Sequence, residues 1–437
     1  MLLIFVLYTT KHKHRCIKNI IISVFYVYIL KYINICVKGE KNIQVVRRSD
    51  LFYMNLDNSL VILNEFSSYY DVIIDTVNIL TIPKRYIFVK VIGSGAQGVV
   101  FSAFDLIHFK EVVIKKLINP FSNEFNAKRA YRELCLLSGI KHSMIIPMYS
   151  MFTPQKTPET LRDIYFVMEK MNGTIDKCYE KILDHTRISF LTYQILCALK
   201  HLHSSGVIHR DLKPHNIGLN NDCTVKLLDF GLSRCTENQL HFTKNVVTLF
   251  YRAPEILLAL KYNEKIDVWS VGCIMAELIT GKVFFNARDE LSLWDNIVDK
   301  LGIPNENFLK GIPPTLKEYL LKEYNYKEVD FKKHFPDTLF DNSSPENKPI
   351  PTELNGDNCR DALKKMLTID PDKRMSVDEA LNHPYFRIWR NEEEISNGQP
   401  EIYNPNIENK NFSIQEWKQL IFKNIKKYEF SNNIFVK

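Results

Sequence analysis

The 437-residue sequence has no CxxC pair, no internal repeat and no basic stripe. Its nine cysteines are odd in number and widely spread, without the spacing of a zinc set, so they read as reduced cytosolic thiols and not as a disulfide framework. Net charge is also missing from most of the chain. Of the 57 Lys and Arg, nine fall in residues 1–50, where the acids are only Glu40 and Asp50, leaving 48 of each sign over residues 51–437. A neutral body excludes nucleic acid as the main partner. A clean membrane span is lacking too. Residues 20–30 are apolar except for Ser23, and with residues 32–37 they approach spanning length, but Lys31 and Asn34 interrupt the run. Basic clusters flank the run about equally, so loop charge gives no orientation. The opening apolar stretch, residues 1–8, is too short for a secretory leader and has no small-residue cleavage site. Residues 1–68 are therefore set apart as an extension. The first expectation is that residues 1–53 are absent or unstructured in the mature protein, with translation starting at Met54. The alternatives are a membrane anchor through residues 17–37, with membrane association following, and a packed extension.

What is present is concentrated in residues 207–255. They contain His209-Arg210-Asp211-Leu212-Lys213-Pro214-His215-Asn216, then Asp229-Phe230-Gly231, then Ala253-Pro254-Glu255. Phosphoryl transfer needs a carboxylate at the attacking hydroxyl, oxygen ligands for Mg²⁺ and a cation for the phosphates. Asp211, the pair Asn216 and Asp229, and Lys213 supply them. This order and spacing resembles the catalytic loop, metal loop and activation segment of protein kinases.

The chain before that stretch fits the same reading. Residues 69–85 read as a β-hairpin, with Val72-Ile73-Ile74 and Ile79-Leu80-Thr81-Ile82 as its strands. A strand over residues 86–92, ending at Ile92, runs into Gly93-Ser94-Gly95-Ala96-Gln97-Gly98, and Val99-Val100-Phe101 resumes as strand. A glycine pattern between two strands suits a hairpin covering phosphates, where a dinucleotide loop would lead into a helix. Glycine lets backbone amides approach phosphate without a Cβ in the way. Lys115 follows on the next strand, placed for the α and β phosphates. Glu133, on a helix over residues 127–138, is its natural ion-pair partner. Residues 164–168 form an apolar strand that leads to a hinge at residues 169–172. There Glu169 and Met171 would offer backbone groups to adenine, with Met168 at the back of the pocket. Further on, Asp267 opens an apolar helix as a buried carboxylate expected to hold the catalytic-loop backbone, and Glu255 is expected to pair with Arg374.

Residues 69–428 resemble mitogen-activated protein kinases, and among them the c-Jun N-terminal (stress-activated) kinases. The stretches that carry the likeness are IGSGAQGVV, NAKRAYREL, FTPQK, HLHSSGVIHRDLKPHNI, SVDEALNHPYF and SIQEWKQLIF. The resemblance implies an α+β, two-lobed protein kinase fold with a small β-rich N-lobe and a larger helical C-lobe. The kinase domain would cover residues 86–386, with N-lobe 86–168 and C-lobe 173–386, and residues 387–437 would form a C-terminal extension ending in a helix. It implies ATP and Mg²⁺ as cofactors and transfer to Ser or Thr followed by Pro. The implied partners are protein substrates, an upstream MAP kinase kinase, and basic docking-motif proteins and phosphatases held by Glu392-Glu393-Glu394. The implied location is cytoplasmic and nuclear.

One departure bears on regulation. Where the family carries Thr-x-Tyr, this chain has Thr243-Lys244-Asn245, and Leu249 stands where an arginine usually helps hold the phosphotyrosine. Activation is therefore expected through phosphorylation of Thr243 alone, with Arg132, Arg210 and Arg234 gathering on the phosphate. Two alternatives are a pseudokinase scaffold in the same pathway and a kinase under cyclin-like partner control.

Overall fold

The computed structural model describes residues 45–48, 51–56, 59–64, 68–73, 79–95, 98–178, 184–235, 249–304, 306–312, 314, 317–318, 330–340, 351–396 and 410–431. The chain divides into two units, residues 1–84 and 85–437. The first is an antiparallel meander of five strands, β1 (Val45–Arg48), β2 (Leu51–Leu56), β3 (Ser59–Asn64), β4 (Tyr69–Ile73) and β5 (Ile79–Pro83). The hairpin expected from the sequence is β4 and β5, with Tyr70 opposite Ile82 and Val72 opposite Leu80. These four are buried, as the period of two requires, while Thr81 and Asp71 on the other face share a 2.7 Å hydrogen bond. Strands β1 to β3 fall where the sequence reading set an extension apart, and Met54 lies inside β2. The missed signal is the pair of apolar runs over residues 51–56 and 59–64, which pair antiparallel. Residues 17–37 lie outside the described residues. Among the described residues no helix is long and apolar enough to cross a membrane.

The second unit opens with a five-stranded antiparallel sheet in the order β6-β7-β8-β10-β9. Its strands are β6 (Tyr86–Gly95), β7 (Gly98–Asp105), β8 (Lys110–Leu117), β9 (Met148–Phe152) and β10 (Tyr165–Glu169). β8 lies in the centre, with Val112 and Ile114 fully buried. Helix α1 (Glu124–Gly139) begins where the Asn123 side chain accepts the Asn126 N–H, one turn before the start read from the sequence.

The larger lobe is mainly helical. Short strand β11 (Gly173–Thr174) comes first, then helix α2 (His185–Ser204), capped by Asp184, and then short strands β12 (Val207–Ile208), β13 (Ile217–Leu219), β14 (Val225–Leu227) and β15 (Arg234–Cys235). β11, β13 and β14 form one small sheet, and β12 pairs with β15. There follow α3 (Pro254–Leu257), α4 (Lys265–Thr280), α5 (Glu290–Leu301), α6 (Glu306–Lys310), α7 (Phe331–His334), α8 (Gly356–Met366), α9 (Val377–Leu381), α10 (Pro384–Arg387), α11 (Glu392–Ser396) and α12 (Ile414–Ser431). α4 is apolar on all sides and buried, the pattern of a central helix. At Gly272 a Cβ would stand 2.9 Å from Leu367, so glycine sets how closely α4 and the end of α8 approach. α12 buries Trp417, Ile421 and Ile425, four residues apart on one stripe, and the Trp417 ring centroid lies 5.4 Å from that of Tyr131 on α1.

A buried ion pair ties α3 to the loop before α9. Arg374 donates to both Glu255 oxygens at 2.7 and 2.8 Å, and its remaining donors meet the carbonyls of Lys265, Thr368 and Ile369. With neither side chain exposed, removing one partner strands the other charge. Arg374→Ala is expected to destabilise the folded protein by about 3–5 kcal/mol in urea unfolding. A change below about 1 kcal/mol, the value of an exposed pair, would contradict this.

Candidate active site

The site is built around a buried ammonium. Lys115 sits on β8 between Val100 of β7 and Phe166 of β10, so the sheet fixes its backbone on both sides. Its Nζ donates to Glu133 Oε1 at 2.6 Å and to Asp229 Oδ1 at 3.0 Å. Burial would lower this ammonium, but Asp229 and Glu133 together raise it above the ordinary lysine range. Burial alone would raise the Asp229 carboxyl. Lys115 and the Gly231 N–H, which reaches Oδ1 at 2.9 Å, overcome that and hold it at about 2.

The catalytic loop is held from beneath. Asp267, at the start of α4, accepts the backbone N–H groups of His209 and Arg210, each at 2.8 Å, and its Oδ2 lies 2.9 Å from His203 Nε2. Arg210 takes φ +71°, a left-handed conformation that is unfavourable for a non-glycine residue and is held here by the bond from its own N–H to Asp267. Asp211 then stands 5% exposed, its Oδ2 accepting from Lys213 Nζ and Asn216 Nδ2, both at 2.9 Å. Asn216 Nδ2 also donates to the Asp211 carbonyl at 2.8 Å. With the amide nitrogen committed twice, the Asn216 side-chain oxygen is turned away from Asp211 as a free ligand.

Above these groups β6 and β7 close as a hairpin with Gly95 opposite Gly98. A Cβ on Gly98 would meet the Lys116 carbonyl at 2.6 Å, so packing alone demands glycine there. At Gly95 a Cβ would meet nothing within 4 Å, and at Gly93 only Val100 at 4.0 Å. The protein's own packing gives no reason for glycine at those two positions, which is the pattern of a backbone kept bare for a ligand. Ser94 is exposed on the same strand, Ile92 is 49% exposed, and Val99 and Val100 are half-buried. Ala96 and Gln97 lie outside the described residues. On the hinge side, Met168 is buried at 7%, while Glu169 and Met171 are half-buried. The Glu169 N–H is taken by the Pro147 carbonyl at 3.3 Å. Beneath Met171 a Cβ on Gly218 would come within 2.7 Å of its Cγ, a close approach that the motif reading missed.

Of the residues expected at the phosphothreonine, Arg132 is buried on α1, Arg210 lies in the catalytic loop over the Tyr262 ring, and Arg234 sits in β15 over Phe125. Thr243 lies outside the described residues. Two contacts were not foreseen, although both residues lie inside stretches that carry the family likeness. One is His203 at Asp267; the other is Arg129, whose Nε donates to the Gly231 carbonyl at 2.7 Å. For Arg129 a further signal was helical spacing, since it precedes Glu133 by one turn.

A cleft between a β-sheet lobe and a helical lobe, with a buried lysine bridging two carboxylates above an aspartate in a catalytic loop, defines a protein kinase. The protein kinase domain family model matches residues 86–386. The "Stress-activated protein kinase JNK" of Drosophila melanogaster is 44% identical over 352 residues, which cover 80% of this chain and 94% of that protein. The chain belongs to the mitogen-activated protein kinases and is a JNK-like protein serine/threonine kinase.

Protein kinases use ATP with Mg²⁺, and the donor set here fits that pair. An ionised carboxylate and an amide oxygen, with phosphate oxygens completing the shell, are hard ligands of the kind Mg²⁺ takes. Among the described residues no three His, Cys, Asp or Glu side chains cluster as a metal site, and this coordination calls for none.

Because Lys115 is the strongest influence holding the Asp229 carboxyl at about 2, ahead of the Gly231 N–H, Lys115→Met should let burial raise it from there toward the ordinary value of about 3.9. The stability gained from ionised Asp229 is present above about pH 3.9 and lost as pH falls through the folded value, so in the variant that loss moves to higher pH. Carbon NMR titration of the Asp229 carboxyl reads the shift directly. A carboxyl that stayed near 2 without Lys115 would contradict it.

Proposed function

We propose that the enzyme phosphorylates Ser or Thr followed by Pro, and that its own activity is raised by phosphorylation at Thr243. The observation that supports transfer to a hydroxyl is the geometry at Asp211, while the Pro preference and the Thr243 site rest on the family likeness and on the sequence of residues 243–252. Its carboxylate is fixed by Asn216 and Lys213, at 2.9 Å each, within a loop that Asp267 pins to α4. Bound ATP with Mg²⁺ supplies the phosphoryl group. Asp211 orients the substrate hydroxyl and accepts its proton; Lys213 places a cation beside the transferring phosphate. Asn216 and Asp229 would hold Mg²⁺. Lys115, kept in place by Glu133, would meet the phosphates under the bare backbone of Gly93 and Gly95. Ile92, Val99, Val100 and Met168 would enclose the adenine, with Glu169 and Met171 at its edge.

Regulation follows from charge. A phosphate on Thr243 would draw Arg132, Arg210 and Arg234 together, linking α1, the catalytic loop and the activation segment through charge-assisted hydrogen bonds. The same reading gives the enzyme an upstream MAP kinase kinase. It also gives α11 a docking role for basic, hydrophobic segments of substrates and phosphatases. There Glu393 is exposed and Glu392 pairs with Arg390 at 2.6 Å, while the Glu394 carbonyl accepts from His142.

Asp211→Asn is expected to lower phosphorylation of a Ser-Pro peptide by about 10² to 10⁴, the range for a lost general base, while nucleotide still binds. Wild-type-like turnover would remove Asp211 from its role. Thr243→Ala should lose most activity of protein treated with an activating kinase, and full activity in that variant would reject single-site control. Neutralising Glu392, Glu393 and Glu394 should weaken binding of a basic docking peptide and flatten its salt dependence. Unchanged affinity at low salt would reject the docking role.

A further inference from the structure

We infer that Arg129 is a positioning residue for phosphoryl transfer, fastening helix α1 to the chain just beyond Asp229. The hydrogen bonds form a closed ring. Glu133 Oε1 meets Lys115 Nζ at 2.6 Å, and Lys115 Nζ meets Asp229 Oδ1 at 3.0 Å. The Gly231 N–H donates to the same Asp229 oxygen at 2.9 Å, and the Gly231 carbonyl accepts from Arg129 Nε at 2.7 Å. The ring returns to its start through the helix, because Arg129 and Glu133 are one turn apart on one face of α1.

A link through Lys115 alone would fix α1 to the metal loop only loosely, since the lysine stem has four rotatable bonds. A second link at a different place on the helix removes that freedom. The Gly231 peptide is well suited to be the other end. Its N–H orients the Asp229 carboxylate and its carbonyl takes Arg129, so two peptide units that meet at a single α-carbon couple the carboxylate to the helix. From there the chain turns, with Ser233 N–H on the Phe230 carbonyl at 3.1 Å, into β15 and the activation segment.

The Arg129 side chain holds this position against a cost. It lines a small cavity with Leu117, Ile118, Pro120 and Ala130, and its Nη2 is buried with no hydrogen-bond partner among the described residues. A buried donor left unmade favours turning the guanidinium out to water. What offsets it is the short bond to the Gly231 carbonyl. The cluster then carries two cations, Lys115 and Arg129, against two anions, Glu133 and Asp229.

The inference rests on Asp229 being the metal-holding carboxylate proposed above, so its test separates the two. Amide hydrogen exchange is followed in the full chain without nucleotide, comparing wild type with Arg129→Met. The segment spanning residues 228–234 should exchange about tenfold faster, as expected for loss of one charge-assisted hydrogen bond, while the rest of the large lobe is unchanged. In activated protein the variant should lose kcat on a Ser-Pro peptide by a similar factor and need more Mg²⁺ for half-maximal nucleotide binding. Arg129→Lys, which keeps a donor, should recover part of each. Combined with Glu133→Gln, the loss should be no larger than that of the worse single variant, because both belong to one ring. Faster exchange supports the link whatever holds the metal. Unchanged exchange overturns it even if Asp211→Asn is inactive, and so does a double loss equal to the product of the singles, or activity that rises when Arg129 is removed. If Arg129→Met does not fold, Arg129→Gln carries the same comparison.

Discussion

The structure depends on one ammonium kept out of water. Burying the Lys115 charge is unfavourable by several kcal/mol unless it is paired with good geometry, and two carboxylates provide that at 2.6 and 3.0 Å. Since a single cation satisfies both acids, the position of α1 and the shape of the metal loop belong to one equilibrium. Neither can leave without stranding a charge. The sheet contributes the fixed point, because β8 is hydrogen-bonded to β7 on one side and β10 on the other, and Lys115 is in register with both.

The larger lobe repeats the device with carboxylates. Asp267 is fully buried and bonded to two successive backbone N–H groups of the catalytic loop, which keeps Arg210 in its left-handed conformation and sets Asp211 beside Lys213 and Asn216. Glu255 is likewise buried and takes both arms of Arg374. An apolar helix such as α4 can bury area but cannot aim a loop, since dispersion and the hydrophobic effect have little direction. Buried acids supply the direction. Their partners are mostly main-chain or arginine N–H groups, the arrangement that makes a buried carboxylate tolerable.

Much of this was legible in the sequence, for a particular reason. Lys115, Glu133, Asp211, Lys213, Asn216 and Asp229 were readable because phosphoryl transfer constrains residue type and order together, and Asp267 and Glu255 because an acid beside apolar residues must find a partner. The hairpin of β4 and β5 was readable from alternation. Arg129 was not. On α1 it is one basic residue among several, and its partner is a backbone carbonyl 102 residues away that leaves no mark on the sequence. The same holds for His203, which reaches Asp267 from α2. SIQEWKQLIF was visible as a likeness without a role, and its place became clear only when Trp417 was found against Tyr131. Strands β1 to β3 were passed over because the basic and apolar residues ahead of them dominated the reading of that end of the chain.

The central claim is that Lys115 makes the helix and the metal loop act as one unit. It is tested most directly by phosphoryl transfer from labelled ATP to a Ser-Pro peptide in Lys115→Met, Glu133→Gln and the double variant, each prepared as the activated full chain. The account predicts that the double variant loses no more than Lys115→Met alone, since the carboxylate acts only through the ammonium. Losses that multiply would mean that Glu133 and Lys115 serve the reaction independently, and would contradict it.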